Sequence, residues 1–288
     1  MADNLGTKKM EYDYIIVGSG FGGSVSALRL SKKGYSVLVI EKGKWYKAED
    51  FPKTNWNFRK WLWLPSLRFF GIMKLTIFKH VAVLSGTGVG GGSLVYANTL
   101  PIPKATFFET GSWSALLDWE TELAPYYKEA LRMLGATKNP KLFDGDLGLK
   151  KVAQKLGMED KFDATNVAVY FGEENVTKKD PYFEGMGPER TGCNYCGACM
   201  TGCRNNSKNT LDKNYLYLAQ KYGAEILAEN EVYDVRPING KDGASGYEVG
   251  IKTSTRLFAK KRKIRSKGVI FSGGVLGSIK LLLKLRAT

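Results

Sequence analysis

Hydrophobic positions in this chain gather into short unbroken runs set between glycines, and the pattern is clearest near the start. Tyr14-Ile-Ile-Val17 reads as a buried parallel strand. In the next segment Val25, Leu28 and Leu30 share one face of a helix that Gly34 closes. Val37–Ile40 is a second apolar run, and it ends on Glu41. Together these predict a βαβ unit and an α/β fold class. Near the other end, Gly268-Val-Ile-Phe-Ser272 predicts a further strand, a turn at Gly273 and Gly274, and a helix over Val275–Leu285.

Between the two ends the periodicity is weaker. The segment 42–60 mixes charge with Trp45, Tyr46, Phe51, Trp56 and Phe58 at no steady spacing, which predicts a surface path. Residues 61–80 are apolar but broken by Pro65, Arg68, Gly71 and Lys74, too short for a membrane span and suited to an apolar lid or a cavity wall. Helices are predicted over 113–134, with Leu116, Trp119, Leu123, Tyr127 and Leu131 near one face, and over 149–156. Residues 162–187 read as irregular or strand structure. A helix over 210–222 stops at Gly223, strands follow at 224–228 and 231–235, and 247–251 with 256–260 form a hairpin around Thr253 and Ser254.

The glycines carry the candidate chemistry. In Gly18-Ser19-Gly20-Phe21-Gly22-Gly23, Gly18 permits the tight strand-to-helix turn and Gly20 lets the backbone approach a pyrophosphate. Gly23 lets the helix pack on the sheet. The helix N-terminus then faces the phosphates with free N–H groups. Glu41 stands where a carboxylate can accept both hydroxyls of an adenosine ribose, and it disfavours a 2′-phosphate. A second cluster, Gly90-Gly91-Gly92-Ser93, offers an anion nest and room for a flat ring against the main chain. A flexible linker fits this cluster poorly, because Val81–Leu84 and Leu94-Val95 on either side read as structured.

The first glycine unit, with Val89-Gly-Gly-Gly-Ser-Leu-Val95 some seventy residues later, resembles the glucose–methanol–choline (GMC) family of FAD-dependent oxidoreductases and its cholesterol-oxidase-like branch. The likeness runs from about Tyr12 to the end. It implies a Rossmann-like FAD-binding domain, discontinuous over 10–100 and 205–288, interrupted by an inserted cap or substrate region over 101–204. It places Phe21 and Gly22 at the pyrophosphate, Glu41 on the ribose, and Gly92, Tyr96 and Ala97 near the flavin. Many members have asparagine where Tyr96 stands. The backbone at Val232 is expected on the adenine, and Gly273 and Gly274 return to the FAD site. The implied reaction is oxidation of a CH–OH group to a carbonyl with hydride transfer to flavin. A sterol or long-chain alcohol is the expected substrate, in keeping with the apolar 61–80 stretch. In the family the catalytic histidine and its partner lie near the C-terminus. No residue here matches them, His80 being the only histidine, so no catalytic residue is assigned and a missing C-terminal part is expected.

Cys193-Asn-Tyr-Cys196-Gly-Ala-Cys199-Met-Thr-Gly-Cys203 has the C-x2-C-x2-C-x3-C spacing of bacterial iron–sulfur ligation, with Arg204 in place of the usual proline. Arg204, Lys208 and Lys213 nearby would lower thiol pKa values. Three readings stay open at this point: an iron–sulfur cluster, a structural zinc site, or thiols that only shape a loop. A cluster would make the enzyme a dehydrogenase passing electrons to a quinone or cytochrome. A chain that binds FAD without catalytic competence is a further alternative.

At 288 residues with 43% hydrophobic content, the chain is long enough for one large domain or two smaller ones. Its net charge of +15 suits an anionic partner. Apart from Lys260–Lys263 the basic residues are scattered and no nucleic-acid motif accompanies them, so peripheral contact with anionic lipid is the better expectation. The first ten residues are polar and lack the apolar core of a signal peptide, and the cysteines form no dispersed disulfide framework. A cytoplasmic address, peripheral to the membrane, is expected. Oligomeric state is not legible.

Overall fold

The structure is a computed structural model that describes residues 11–240 and 242–287; the polar stretch 1–10 lies outside the described residues. Its larger elements, in chain order, begin with β1 (Glu11–Val17), α1 (Phe21–Lys32) and β2 (Val37–Ile40). A hairpin of β3 (Met73–Ile77) and β4 (Ala82–Gly86) follows, then α2 (Trp119–Met133) and α3 (Asp144–Lys155). The chain closes with α4 (Tyr215–Lys221), β5 (Glu225–Leu227), β6 (Asn230–Pro237), β7 (Tyr247–Thr253), β8 (Lys261–Phe271) and α5 (Gly274–Arg286). Six of the strands make one sheet in the order β5-β2-β1-β8-β7-β6. β5, β2, β1 and β8 run parallel, and β7 and β6 extend the sheet antiparallel.

Both faces of the parallel part are covered, which is why its strands read as continuous apolar runs. Side chains alternate across a strand. Ile16, Val37 and Val39 face α1 and α4, with Ala27, Leu28, Leu216 and Ala219. Ile15, Leu38 and Ile40 face the opposite side with Val249 and Ile251, and Leu281 and Leu285 of α5 lie against them. Ile15 and Ile16 are both fully buried, each contributing about 1.5–3 kcal/mol of transfer free energy.

Several elements depart from the sequence pattern. The helix expected over 210–222 is a single 3₁₀ turn at Leu211–Lys213 and the shorter α4. Asn214 breaks it by turning its side-chain oxygen onto the N–H of Tyr215 (2.5 Å). The hairpin strand expected at 256–260 is an exposed loop instead, and β8 starts at Lys261. β8 is one eleven-residue strand, antiparallel to β7 in its first half and parallel to β1 in its second. The predicted 113–134 helix is a 3₁₀ turn at Ser114–Leu116 and then α2, which starts where Asp118 caps the N–H of Thr121 (3.2 Å); Leu116 is exposed. α3 starts five residues before the predicted 149–156 segment, where Asp146 accepts the N–H of Phe143 (2.9 Å), and buries no residue. The segment 42–60 is not wholly superficial: Tyr46 and Phe51 are buried with Ile72, Met73, Leu94 and Val95 in a third cluster. The Tyr46 hydroxyl donates to the carbonyl of Gly71 (2.7 Å), fixing the 61–80 stretch beside the second glycine cluster. Trp63 of that stretch is buried, while Ile77, Phe78 and His80 at the tip of the β3–β4 hairpin are exposed. No helix among the described residues is long and apolar enough to cross a membrane.

A candidate dinucleotide-binding cradle

β1 and α1 carry Gly18–Gly23 to the carboxyl ends of the parallel strands, where open α/β sheets form their ligand crevices. Gly18 has φ +98°, and a Cβ there would lie 2.5 Å from the carbonyl oxygen of Ser272 and 2.8 Å from the Cα of Gly273. The turn after β8, with Gly273 and Gly274, therefore returns directly onto the first loop. A Cβ at Gly23 would overlap the carbonyl oxygen of Gly18. Here the sequence reading and the packing agree.

The second cluster arrives at the same place. A Cβ on Gly91 would stand 2.8 Å from the Cα of Gly20, so the two backbones touch. The N–H of Gly90 donates to Ser19 Oγ (3.1 Å), and Ser19 Oγ donates to Glu41 Oε2 (2.7 Å). Glu41 also accepts the N–H of Ser19 (3.2 Å) and, through Oε1, the N–H of Gly43 (2.9 Å). One fully buried serine thus joins both glycine loops to the acid at the end of β2. Ser93 locks the far side by donating to the carbonyl of Gly90 (2.7 Å) and accepting the N–H of Leu211 (3.0 Å). The rings of Phe21 and Tyr96 meet edge to face at 5.9 Å, and Ala97 beside them is exposed. Val232 is buried in β6, two residues past Asn230, whose N–H donates to the Glu41 carbonyl (2.9 Å).

The open side of this cradle fits FAD. Gly20 and Gly92 face free space, with nothing within 4 Å of a Cβ on either. No side chain caps α1, so its first-turn N–H groups remain available to a pyrophosphate. Buried polar atoms without a protein partner include Tyr96 Oη, Asn98 Oδ1 and Asp212 Oδ1, the last 3.6 Å from a Cβ on Gly90. A carboxylate offers about four acceptor positions, and protein donors take three of them at Glu41. Accepting both ribose hydroxyls requires Ser19 to swing its hydroxyl to the carbonyl of Gly88, 3.3 Å away.

The cysteine run lies behind the second cluster. Cys193, Cys196, Cys199 and Cys203 line one small cleft with Val169, Ser207 and Lys208, and all four are free thiols. The metal-centre expectation gains no support from their arrangement: among the described residues no group of three or more His, Cys, Asp or Glu is placed to hold a metal ion. The sulfurs of Cys193 and Cys203 instead accept backbone N–H groups of Tyr195 and Ser207, both at 3.4 Å. The expected general lowering of thiol pKa values is also corrected. Burial pushes Cys193 and Cys199 up. At Cys203 burial is outweighed by the backbone N–H groups of Lys208, Ser207 and Asn205, and the thiol lies below its usual value.

Lys208 has a part that no sequence signal announced. It is 1% exposed, and its Nζ donates to the carbonyls of Leu94 (3.0 Å), Tyr96 (2.8 Å) and Cys199 (2.9 Å). It also sits 4.7 Å from the centre of the Tyr96 ring. Burial pushes its pKa down to about 7, against the pull of the Cys199 and Cys203 thiols. Arg190, equally buried, donates to the Ser207 carbonyl (2.8 Å) and Asn209 Oδ1 (2.7 Å). Lys208 therefore ties the cysteine loop to the cradle, and Arg190 holds the chain just after that loop.

A parallel sheet with two glycine loops closing on its carboxyl edge defines a dinucleotide-binding α/β protein, and the site is of the kind that seats a flavin–adenine molecule. The profile described as GMC oxidoreductase matches residues 12–284, and the chain belongs to that family. It is 50% identical over 282 residues to a cholesterol oxidase of Acinetobacter baumannii, covering 96% of this chain and 51% of that one. A cholesterol oxidase of Mycobacterium tuberculosis is 45% identical over 284 residues, with 96% and 48% covered. A long-chain-alcohol oxidase of Arabidopsis thaliana is 29% identical over 296 residues, with 96% and 34% covered. Among solved structures, a fungal aryl-alcohol oxidase superposes with a TM-score of 0.51 at 18% identity, over 93% of this chain and 46% of that one, which shows a shared fold. The chain spans about half the length of the cholesterol oxidases it matches.

Proposed function

We propose that this chain holds the FAD of an oxidoreductase that oxidises a hydrophobic alcohol, a sterol or a long-chain alcohol, to a carbonyl compound. The observation that carries the reading is the contact of the two glycine loops at Ser19–Gly90 and Gly20–Gly91. When bound, FAD supplies the two-electron acceptor for the alcohol carbon. The chain's own residues do the holding. Backbone at Gly20–Gly22 and the α1 N-terminus meet the pyrophosphate, Glu41 takes the ribose, Val232 meets the adenine through its backbone, and Gly92, Tyr96 and Ala97 flank the ring. Similarity to cholesterol and long-chain-alcohol oxidases and the apolar 61–80 segment support a hydrophobic substrate over a sugar.

The test is the visible spectrum of the purified chain together with thermal unfolding with and without FAD. A ligand that binds only the folded state at a hundred times its Kd adds about 2.7 kcal/mol, which raises Tm by roughly 4–5 °C for a chain of this size. Absence of both bound flavin and a Tm shift would overturn the assignment. Substrate class is read by binding, as the change that cholesterol, a long-chain alcohol and glucose each make in the spectrum of the bound flavin. A response to glucose alone would reject the hydrophobic substrate.

A further inference from the structure

The four cysteines occupy one cleft, remain free, and are not arranged for a metal among the described residues. Their surroundings are electropositive. Lys208 reaches the carbonyl of Cys199 at 2.9 Å, and Arg190 holds the carbonyl of Ser207 at 2.8 Å. Neither cation is in a salt bridge among the described residues. The N–H of Ser207 points at Cys203 Sγ (3.4 Å), so positive dipoles and charges converge on that sulfur. Cys196 is exposed and the other three are partly so, which gives a small oxidant access. Partly exposed thiols in such surroundings, beside further thiols, are the reactive ones.

We propose that the 193–203 loop is a thiol–disulfide site in which Cys203 and one other cysteine of the cleft are oxidised by a hydroperoxide. The sulfur of Cys203 attacks the O–O bond, forming a sulfenic acid and releasing one molecule of water or alcohol. The second thiol then attacks that sulfur, an S–S bond forms, and the hydroxyl leaves as water. Two electrons pass from the two sulfurs to the peroxide, and both thiol protons end on oxygen.

The position of the loop gives this chemistry a consequence. Lys208 binds the Cys199 carbonyl and the carbonyls of Leu94 and Tyr96 with the same ammonium. Drawing Cys203 toward a neighbouring sulfur shifts the turn that presents Cys199, and Lys208 transmits the shift to residues 94–96, which would flank the flavin. FAD retention therefore changes with the redox state of the loop, a consequence that rests on the flavin reading above.

The experiment uses the whole chain, reduced, freed of reductant and treated with hydrogen peroxide. Trypsin places all four cysteines in one peptide, Thr191–Arg204, which is read by alkylation and mass spectrometry. The expected result is two alkylated thiols instead of four and the loss of two hydrogen atoms, reversed by dithiothreitol and absent in Cys203→Ser. Four alkylated thiols after peroxide, oxygen added to a cysteine rather than to Met200 without hydrogen lost, or the same disulfide in Cys203→Ser would each overturn the proposal. So would thiols that react only after a chelator removes iron or zinc. Because the peptide mass does not depend on flavin, failure of FAD binding leaves this readout intact. If the wild-type chain binds FAD, the fraction retained before and after peroxide must differ, and Lys208→Met must remove the difference. Equal retention in the wild type rejects the coupling.

Discussion

Replacing Lys208 with Met gives a test whose sign and size both follow from the structure. The ammonium is buried and its pKa is pushed from 10.5 to about 7, with burial the main cause. Between those two pH values the unfolded chain holds a proton that the folded chain has released. Stability therefore rises with pH across that window. Below about pH 7 both states are protonated and the full cost of burying the charge is present. At 1.36 kcal/mol per pH unit, the whole interval is worth on the order of 5 kcal/mol, and the part between pH 7 and 9 about 2–3 kcal/mol. Lys208→Met has no such group, so its stability lacks this rise. At pH 7 the variant also loses a donor shared by three carbonyls, which opposes the relief of removing a buried charge.

The quantity to measure is the wild-type minus variant unfolding free energy, from urea titrations at pH 7, 8 and 9 in reducing buffer. Titrations common to both proteins cancel in the difference. Cys199 and Cys203 act on this ammonium, so the comparison is repeated with both replaced by Ser. The difference must grow by about 2–3 kcal/mol from pH 7 to 9. Parallel curves for the two proteins would refute the claim that Lys208 sits desolvated beneath Tyr96.

Gly23→Ala places a methyl against the Gly18 carbonyl, and a lower Tm with loss of about 1–3 kcal/mol is expected, together with loss of FAD retention. Glu41→Ala removes the acceptor of three protein hydrogen bonds at the ribose position; weaker FAD retention and about 1–3 kcal/mol of destabilisation are expected, and unchanged retention counts against the ribose assignment. Tyr96→Phe deletes a buried hydroxyl with no protein partner, so the melting of the flavin-free chain should hold or rise while FAD retention falls. Asp180 accepts backbone N–H groups of Tyr182, Phe183, Gly185 and Gly187. Those bonds outweigh its desolvation and hold its pKa below 3.8, so its stabilisation is present above that value and lost as pH falls through the folded pKa. Asp180→Ala should therefore lower Tm at pH 7 and flatten the acid end of the unfolding curve.

How much of this was legible in the residues depended on how local the cause was. The β1–α1–β2 unit declares itself because each piece is short, consecutive and buried on both faces, so the apolar runs have no competing explanation. Only the first part of β8 was hidden, because Lys261–Lys267 carries a charge at every second residue or more, whereas the apolar run from Gly268 announces the rest of the strand. That part is a strand because it pairs with β7 and sets Ile264 against the core, while its basic side chains find partners across the sheet, Lys263 on Glu248 (2.6 Å) and Lys267 on Asp13 (2.8 Å). α4 was overdrawn for the opposite reason. Its apolar spacing continues N-terminally through Leu211, but Asn214 competes for the backbone, and Leu211 is buried from a 3₁₀ turn instead. Tyr46 and Phe51 looked superficial because the residues that bury them, Ile72 and Leu94, are distant in sequence.

The same distinction separates what the cradle is from what holds it in shape. Glycine loops are readable because only glycine permits their backbone to approach, whether the obstacle is a phosphate or another loop. Their mutual contact was not readable, since it depends on Ser19, Ser93 and Lys208, residue types that are ordinary on any surface. Yet those three supply the hydrogen bonds that pin residues 90–96 against the first turn and the cysteine loop. A ligand spanning both glycine loops would bind to a seat already assembled by these links, and less ordering free energy would be spent on binding. Loosening any one of them should weaken FAD retention without touching a ligand contact, and Ser93→Ala, remote from the open face, is the cleanest case. Its Oγ accepts the N–H of Leu211 and, together with the Ser93 N–H, donates to the carbonyl of Gly90. The variant should bind FAD more weakly while the spectrum of whatever flavin remains bound is unchanged, and full retention would show that the second loop holds its shape without help.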